Sequence, residues 1–288
     1  WTWSRHLDFG YYSKPPGIAW QIFFGTLFFG PTEMGVRFVS VLFGFLMPIL
    51  VFCLGKKSGL TERQAFIGAF AFALSPLGFL SSFFAITDVG AVFFFTLAFI
   101  VLMEGFSNGN INYRRAGVFV ALGALFKWIC YYFWFFALPT LFLKKVKPKE
   151  FILGFVISIL GLIPSLIWNV QNGFVTFLHV WYQAGSKGDI APNPQLISIK
   201  SFFDFIGSQL ALASPLLFIL LAIGLGLLLK RKVLEKGPSF LGYCTLATLV
   251  IFAGLSLFMK IQGNWCDFIY PVGFCFLGWF WDEKRTLV

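Results

Sequence analysis

Residues 114–145 read RRAGVFVALGALFKWICYYFWFFALPTLFLKK. From Ala116 to Leu143 the stretch is apolar except for Lys127, and a basic pair closes each end, Arg114-Arg115 and Lys144-Lys145. Basic residues collect in the cytoplasmic loops of membrane proteins. A single crossing would leave one of these pairs on the wrong side. Two short legs keep both pairs inside and put Lys127 at the outer turn. Each leg then has about 12–16 residues, roughly 18–24 Å of helix. Lys127 falls at or below the outer membrane surface, within the protein. An ammonium at that depth needs an anionic partner or a wet cavity.

The composition agrees with a membrane reading. The chain is 58% hydrophobic, 20% aromatic and only 12% charged. A soluble domain carries about 25% charged residues. The apolar runs are continuous, with no period-2 alternation, so the bilayer's demand for internal hydrogen bonding is met by helices. The expected fold is all-α, a polytopic transmembrane helical bundle forming one domain over residues 1–288. The net charge of +10 belongs to orientation rather than to nucleic acid. The five cysteines, Cys53, Cys130, Cys244, Cys266 and Cys275, lack paired or metal-ligand spacing and read as small buried apolar residues.

About nine spans are expected: 33–55, 64–86, 89–106, the two legs of 116–143, 151–168, 201–229, 238–259 and 267–281. Residues 1–30 form an outer loop with a juxtamembrane helix at 15–30, too short to cross and suited to the interface. Residues 169–200 form a second outer loop, rich enough in aromatics to lie on the membrane. The polar opening at Trp1, with no span before it, reads as a piece of a longer protein whose start lies upstream. With residue 1 outside and residue 288 inside, the inner ends hold Lys56, Lys57, Arg63, Arg114, Arg115, Lys144, Lys145, Lys147, Lys149, Lys230, Arg231, Lys232, Lys236, Lys284 and Arg285. That is 15 of the 22 basic residues.

Charges at the outer ends are not explained by orientation, and they carry the functional signal. They are Asp8, Lys14, Arg37, Asp88, Lys127, Asp204, Lys260 and Asp267, with both histidines, His6 and His179. Asp88 suits a helix N-cap before VGAVFFF, and capping is compatible with catalysis. Lys14, Arg37, Lys127 and Lys260 are either interfacial anchors whose heads snorkel to water or a convergent set for a phosphate. Asn169, Gln171 and Asn172 cap a helix or hydrogen-bond a sugar, and the residues alone favour the cap. His6 and His179 lack a ligand motif, so a divalent metal is at most a minor expectation.

Five blocks, LDFGYYSKPPGIAW, ALSPLGFLSSFFAITD, LGALFKW, PSLIWNVQNGFVTF and KIQGNWCDFIYP, run in order from residue 7 to 271. In that order the chain resembles the bacterial branch of the dolichyl-phosphate-mannose protein mannosyltransferase superfamily, of GT-C fold. That branch includes the lipid A aminoarabinose transferase and the Rgt-type core-sugar transferases. The resemblance implies a glycosyltransferase using a polyprenyl-phosphate-linked sugar, with membrane lipid around it and a glycan, lipid or protein acceptor. It implies a multi-pass protein of the bacterial inner membrane whose site faces the periplasm. Lys14 matches the Lys or His before Pro-Pro that lies near the donor phosphate, and Asp88 the acid after the third family span. Lys127 matches the lysine of the short hairpin. Trp168, Asn169 and Gln171 match the Trp-Asn-x-Gln block, and Lys260, Asn264 and Trp265 the late outer loop. Tyr11 and Tyr12 join the sugar- or acceptor-binding set.

Two departures stand out. The family's acidic pair, the best source of a catalytic base, precedes the first block and so would lie before Trp1, which leaves the expected catalytic acid as Asp88 or a residue upstream. Ser13 replaces the Glu implicated in metal binding in the aminoarabinose transferase, which lowers the metal expectation further. The reading from a different class is a transporter or flippase with a cationic cavity. No obvious internal repeat of the kind many transporters carry supports it.

Overall fold

The computed structural model describes residues 1–143, 148–182, 197–230 and 236–285, all helix, turn and loop with no strand among them. The chain opens with α1 (Thr2–Arg5), then α2 (Gly17–Phe29), α3 (Glu33–Lys57), α4 (Glu62–Leu74), α5 (Pro76–Ser81) and α6 (Thr87–Phe106). Next come the hairpin legs α7 (Tyr113–Ala124) and α8 (Phe133–Leu143), the latter entered through a 3-10 turn at Trp128–Tyr132. They are followed by α9 (Pro148–Ile159), α10 (Ile163–Gln171), α11 (Val175–Trp181), α12 (Ile199–Ala213), α13 (Pro215–Leu228), α14 (Gly237–Ser256) and α15 (Tyr270–Arg285).

Local chemistry sets the helix ends. Thr32 caps α3 by accepting from the Gly35 amide. Thr61 and Gln64 form a reciprocal capping box at α4, and Asn112 caps α7 through the Arg115 amide. Lys56 and Lys57 close α3 at the negative end of its dipole. The hairpin has the expected form, with two short legs and Lys127 between them.

Among the described residues, four helices are by themselves long and apolar enough to cross a bilayer: α3, α6, α14 and the continuous run Pro148–Gln171. The remaining expected crossings are made by shorter or broken helices. The 64–86 span is two helices, α4 and α5, divided at Ser75-Pro76. The 201–229 span is also two, α12 and α13, meeting at 109°. Both breaks are Ser-Pro pairs. Proline disfavours helical backbone at the residue before it, and the serine here caps the next helix. Ser75 accepts from the Gly78 amide and Ser214 from the Leu217 amide. In the outer loop after α10, the short helix α11 presents Phe177, Leu178 and Trp181 outward. Residues 183–196 lie outside the described residues, as do the basic clusters at 144–147 and 231–232.

α6 is the axle of the bundle, packed by α2, α3, α7, α8 and α15. Around it the outer helices turn large apolar side chains outward, among them Phe45, Phe66, Phe70, Phe142 and Leu216. This is the surface of a multi-pass membrane protein, in which lipid replaces water as the solvent of apolar side chains.

The two ends of the bundle differ. At one end Lys57 and Arg115 share Glu104, Arg114 meets Glu150, and Arg63 meets Asp282. These partners cluster where the sequence places the cytoplasmic loops. At the other end lie the opening segment, the hairpin turn, the start of α6 and the loop before α15.

Candidate active site

The opening segment reaches the hairpin through Pro15-Pro16-Gly17. The Gly17 amide donates to the Leu125 carbonyl at 2.7 Å, two residues before Lys127. A Cβ at Gly17 would stand 2.7 Å from that carbonyl oxygen, so only glycine allows the approach. The segment is tied down at its other end by Asp8, whose carboxylate accepts from Trp168 Nε1 at 2.8 Å. Its backbone carbonyl accepts from Trp20 Nε1 at 3.1 Å. Asp8 therefore supports the loop.

Lys127 has the anionic partner its depth requires. Its ammonium donates to Asp88 Oδ1 at 2.6 Å and to the Asn264 carbonyl at 2.7 Å. The Asn264 side-chain amide donates to the same Asp88 oxygen at 3.0 Å. Three distant pieces of chain thus meet at one carboxylate: the start of α6, the hairpin turn and the loop before α15. Asp88 sits in the first turn of α6 but makes no side-chain cap there, since Ile86 holds the N-cap position. Its carboxylate is turned to the lysine instead, which corrects the capping expectation. Thr87 Oγ1 lies 3.3 Å from its second oxygen.

Lys14 completes the cluster. Its half-buried ammonium feels both Lys127 and Asp88. Burial lowers the Lys14 pKa, the Lys127 charge lowers it further, and Asp88 opposes both. Asp267 is the fourth charged side chain here, fully buried and next to Asp88 and Lys127. It follows Asn264 and Trp265 by a few residues and was counted among the outer charges, but the sequence assigned it no role in the site.

The other expected residues divide. Arg37 reaches Glu33 at 3.9 Å and stacks over Phe83 at 5.3 Å and Phe84 at 6.0 Å. It packs against the loop before α6, so the four cations do not converge as expected. Lys260 is exposed on the loop that carries Asn264, and no contact joins it to the cluster among the described residues. Tyr11 is buried, stacked on Trp3, with its hydroxyl spent on the backbone of Trp3, His6 and Asp8. Asn169 is buried with both ends of its amide engaged, to the Ser165 carbonyl and to the Thr176 and Phe177 amides. These two are corrections: their polar atoms hold the turn between α10 and α11 and the opening segment, leaving nothing for a sugar. Gln171 is exposed at the end of α10. Tyr12 is exposed and tilts against His179 with ring centroids 4.9 Å apart. Trp265 is half-buried beside Asn264. Among the described residues no three His, Cys, Asp or Glu side chains form a metal-binding group.

One residue was missed altogether. Gln209 of α12 is fully buried. Its carbonyl accepts from the Tyr270 hydroxyl at 2.8 Å and from the Cys266 thiol at 3.1 Å. Its amide donates to the Gly263 carbonyl at 3.1 Å. It pins both sides of the turn that presents Asn264. A lone glutamine in an apolar helix was the available signal.

Known proteins share the sequence pattern and the fold of this chain. Residues 13–168 match the family model described as dolichyl-phosphate-mannose-protein mannosyltransferase. The lipid A galacturonosyltransferase RgtD of Rhizobium johnstonii is 23% identical over 97% of this chain and 58% of its own length. The polyprenol-phosphate-mannose–protein mannosyltransferase of Corynebacterium glutamicum is 28% identical over 66% of this chain and 45% of its own. In fold, the chain resembles ArnT from Cupriavidus metallidurans bound to undecaprenyl phosphate. The TM-score is 0.73 at 16% identity, covering 95% of this chain and 50% of that one. The apo form of the same protein gives 0.71 over 99% and 54%. The chain spans about half the length of the relatives it matches.

Proposed function

Because the chain belongs to the dolichyl-phosphate-mannose-protein mannosyltransferase family, we propose that it transfers a sugar from a polyprenyl-phosphate-linked donor to an acceptor hydroxyl. The acceptor is a glycan, a lipid or a protein of the cell envelope. The site faces the periplasmic side of the bacterial inner membrane. The observation that carries this reading is the placement of two ammonium groups, Lys14 and Lys127, around Asp88 at the outer end of an apolar bundle. A phosphate on a lipid tail suits that position: the tail stays in hydrocarbon while the head meets positive charge. The solved ArnT complex supports the ligand class, since undecaprenyl phosphate is its bound molecule.

In the proposed reaction the acceptor oxygen bonds to the anomeric carbon as the bond from that carbon to the phosphate oxygen breaks. The electron pair leaves on the phosphate, and the acceptor proton goes to a carboxylate base. Direct displacement inverts the anomeric centre. Lys14 and Lys127 stabilise charge on the departing phosphate. The donor phosphodiester carries one negative charge and the departing phosphate gains a second, and two ammonium groups match the charge that develops. Asp88, ion-paired and hydrogen-bonded at one oxygen, is a poor base and serves to position Lys127.

The test is transfer from purified lipid-linked sugar by Lys14→Met and by the double variant Asp88→Asn/Lys127→Met. The double variant is used because removing Lys127 alone leaves a buried carboxylate unpaired, a cost of about 3–5 kcal/mol. Both are expected to lose transfer while remaining folded. Full turnover in both would remove the phosphate assignment.

A further inference from the structure

Asp267 presents a problem that the proposed reaction does not use. It lies in the 3-10 turn Asp267–Ile269 that leads into α15, and the residue is 1% exposed. Neither carboxyl oxygen receives a hydrogen bond from any described side chain or backbone group. A buried carboxylate without donors is among the most costly groups a protein can hold. The nearby Lys127 ammonium does not solve it: it donates to Asp88 and to the Asn264 carbonyl, and no hydrogen bond from it reaches either Asp267 oxygen. The Asn264 amide is likewise turned to Asp88. The other ionisable groups that interact with Asp267 are Asp88 on α6, Cys130 in the 3-10 turn after Lys127, Cys266 beside it and Tyr270 at the start of α15; Tyr132, whose ring packs 5.5 Å from that of Phe268, makes no hydrogen bond to it. The Tyr270 hydroxyl and the Cys266 thiol are both committed to Gln209. Asp88, however, lies within hydrogen-bonding reach of the Asp267 carboxyl.

We propose that Asp267 is held as a neutral carboxylic acid that donates its proton to Asp88, so that the two side chains form a carboxyl–carboxylate pair with Lys127 on the other side. This arrangement satisfies what the geometry leaves open. Asp267 needs no donor when it is itself one. Asp88 keeps Oδ1 for Lys127 and Asn264 and offers its other oxygen to Asp267. Asp267 is thus a positioning residue: it fixes the rotation of the Asp88 carboxylate and through it the Lys127 ammonium.

The charge count follows. With Asp267 ionised, Lys14, Lys127, Asp88 and Asp267 would sum to zero. With Asp267 neutral, the cluster carries one net positive charge. Given the proposed function, that surplus is what an incoming phosphate meets.

The test is infrared spectroscopy of the purified chain at neutral pH in H2O and D2O. A carbonyl band of a buried protonated carboxylic acid, shifted by deuterium, is expected in the parent protein and lost in Asp267→Asn. Absence of the band in the parent, or its persistence unchanged in Asp267→Asn, overturns the proposal. This measurement needs no turnover, so it succeeds or fails apart from the proposed sugar transfer. A second arm uses transfer from lipid-linked sugar. Asp267→Asn, whose amide can still donate to Asp88, is expected to retain transfer. Asp267→Leu, which cannot, is expected to lose it while its unfolding midpoint stays close to the parent's. Equal loss in both variants would also overturn the assignment.

Discussion

At the level of single residues, burial changes what a charge can do. Lys127 could be located from the sequence because a lone lysine in an apolar hairpin has few places to go. Its partner could not, since Asp88 lies 39 residues away in sequence and read equally well as a cap. Lys14 differs from both in being only half-buried, and its behaviour should be visible in solution. Burial and the Lys127 charge lower its pKa, so its ammonium is lost at lower pH than that of an ordinary lysine. Phosphate binding should therefore be full at neutral pH and weaken as pH rises through the lowered value. An arginine, whose pKa exceeds about 12, should keep its charge there. Titration of Lys14→Arg with undecaprenyl phosphate is expected to move the loss of binding to higher pH. An identical alkaline fall in parent and variant would show that Lys14 is not the group that titrates.

At the level of elements, glycine contacts and Ser-Pro breaks shape the bundle. The leg α7 meets α9 backbone to backbone: a Cβ on Gly117 would fall on the Gly154 carbonyl oxygen. Close approach through small residues is a common means of helix association in membranes. It sets how far the hairpin stands from its neighbour, and so where Lys127 sits. Gly117→Ile is expected to push the helices apart and destabilise the protein by about 1–3 kcal/mol or more, lowering its unfolding temperature in detergent. Gly226, where a Cβ would meet nothing, is the control site, and Gly226→Ala should leave that temperature nearly unchanged. The Ser-Pro pairs at 75–76 and 214–215 were readable punctuation. Hydropathy alone ran through them, because a window average does not see one missing amide.

At the level of the whole molecule, the charge asymmetry between the two ends implies an orientation. Lys56 and Lys260 are both exposed, at opposite ends by the topology. Among the native cysteines only Cys53 is not buried. In a Cys53→Ser background, a membrane-impermeant thiol reagent added outside intact cells is expected to label Lys260→Cys and to spare Lys56→Cys until the membrane is permeabilised. The reverse pattern would invert the orientation and remove the periplasmic site.

The amino-acid sequence by itself determined the helical class, the membrane setting, the hairpin and the depth of Lys127. Each of these follows from local composition, span length and the sidedness of basic loops. Tertiary structure alone decided which polar residues meet. It joined Asp88, Lys127 and Asn264, set Asp267 beside them without donors, and assigned Tyr11, Asn169 and Gln209 to holding the surrounding turns. The reason is physical: the partner of a buried charge is chosen by the packing of helices far apart in the chain, and no local pattern records that choice.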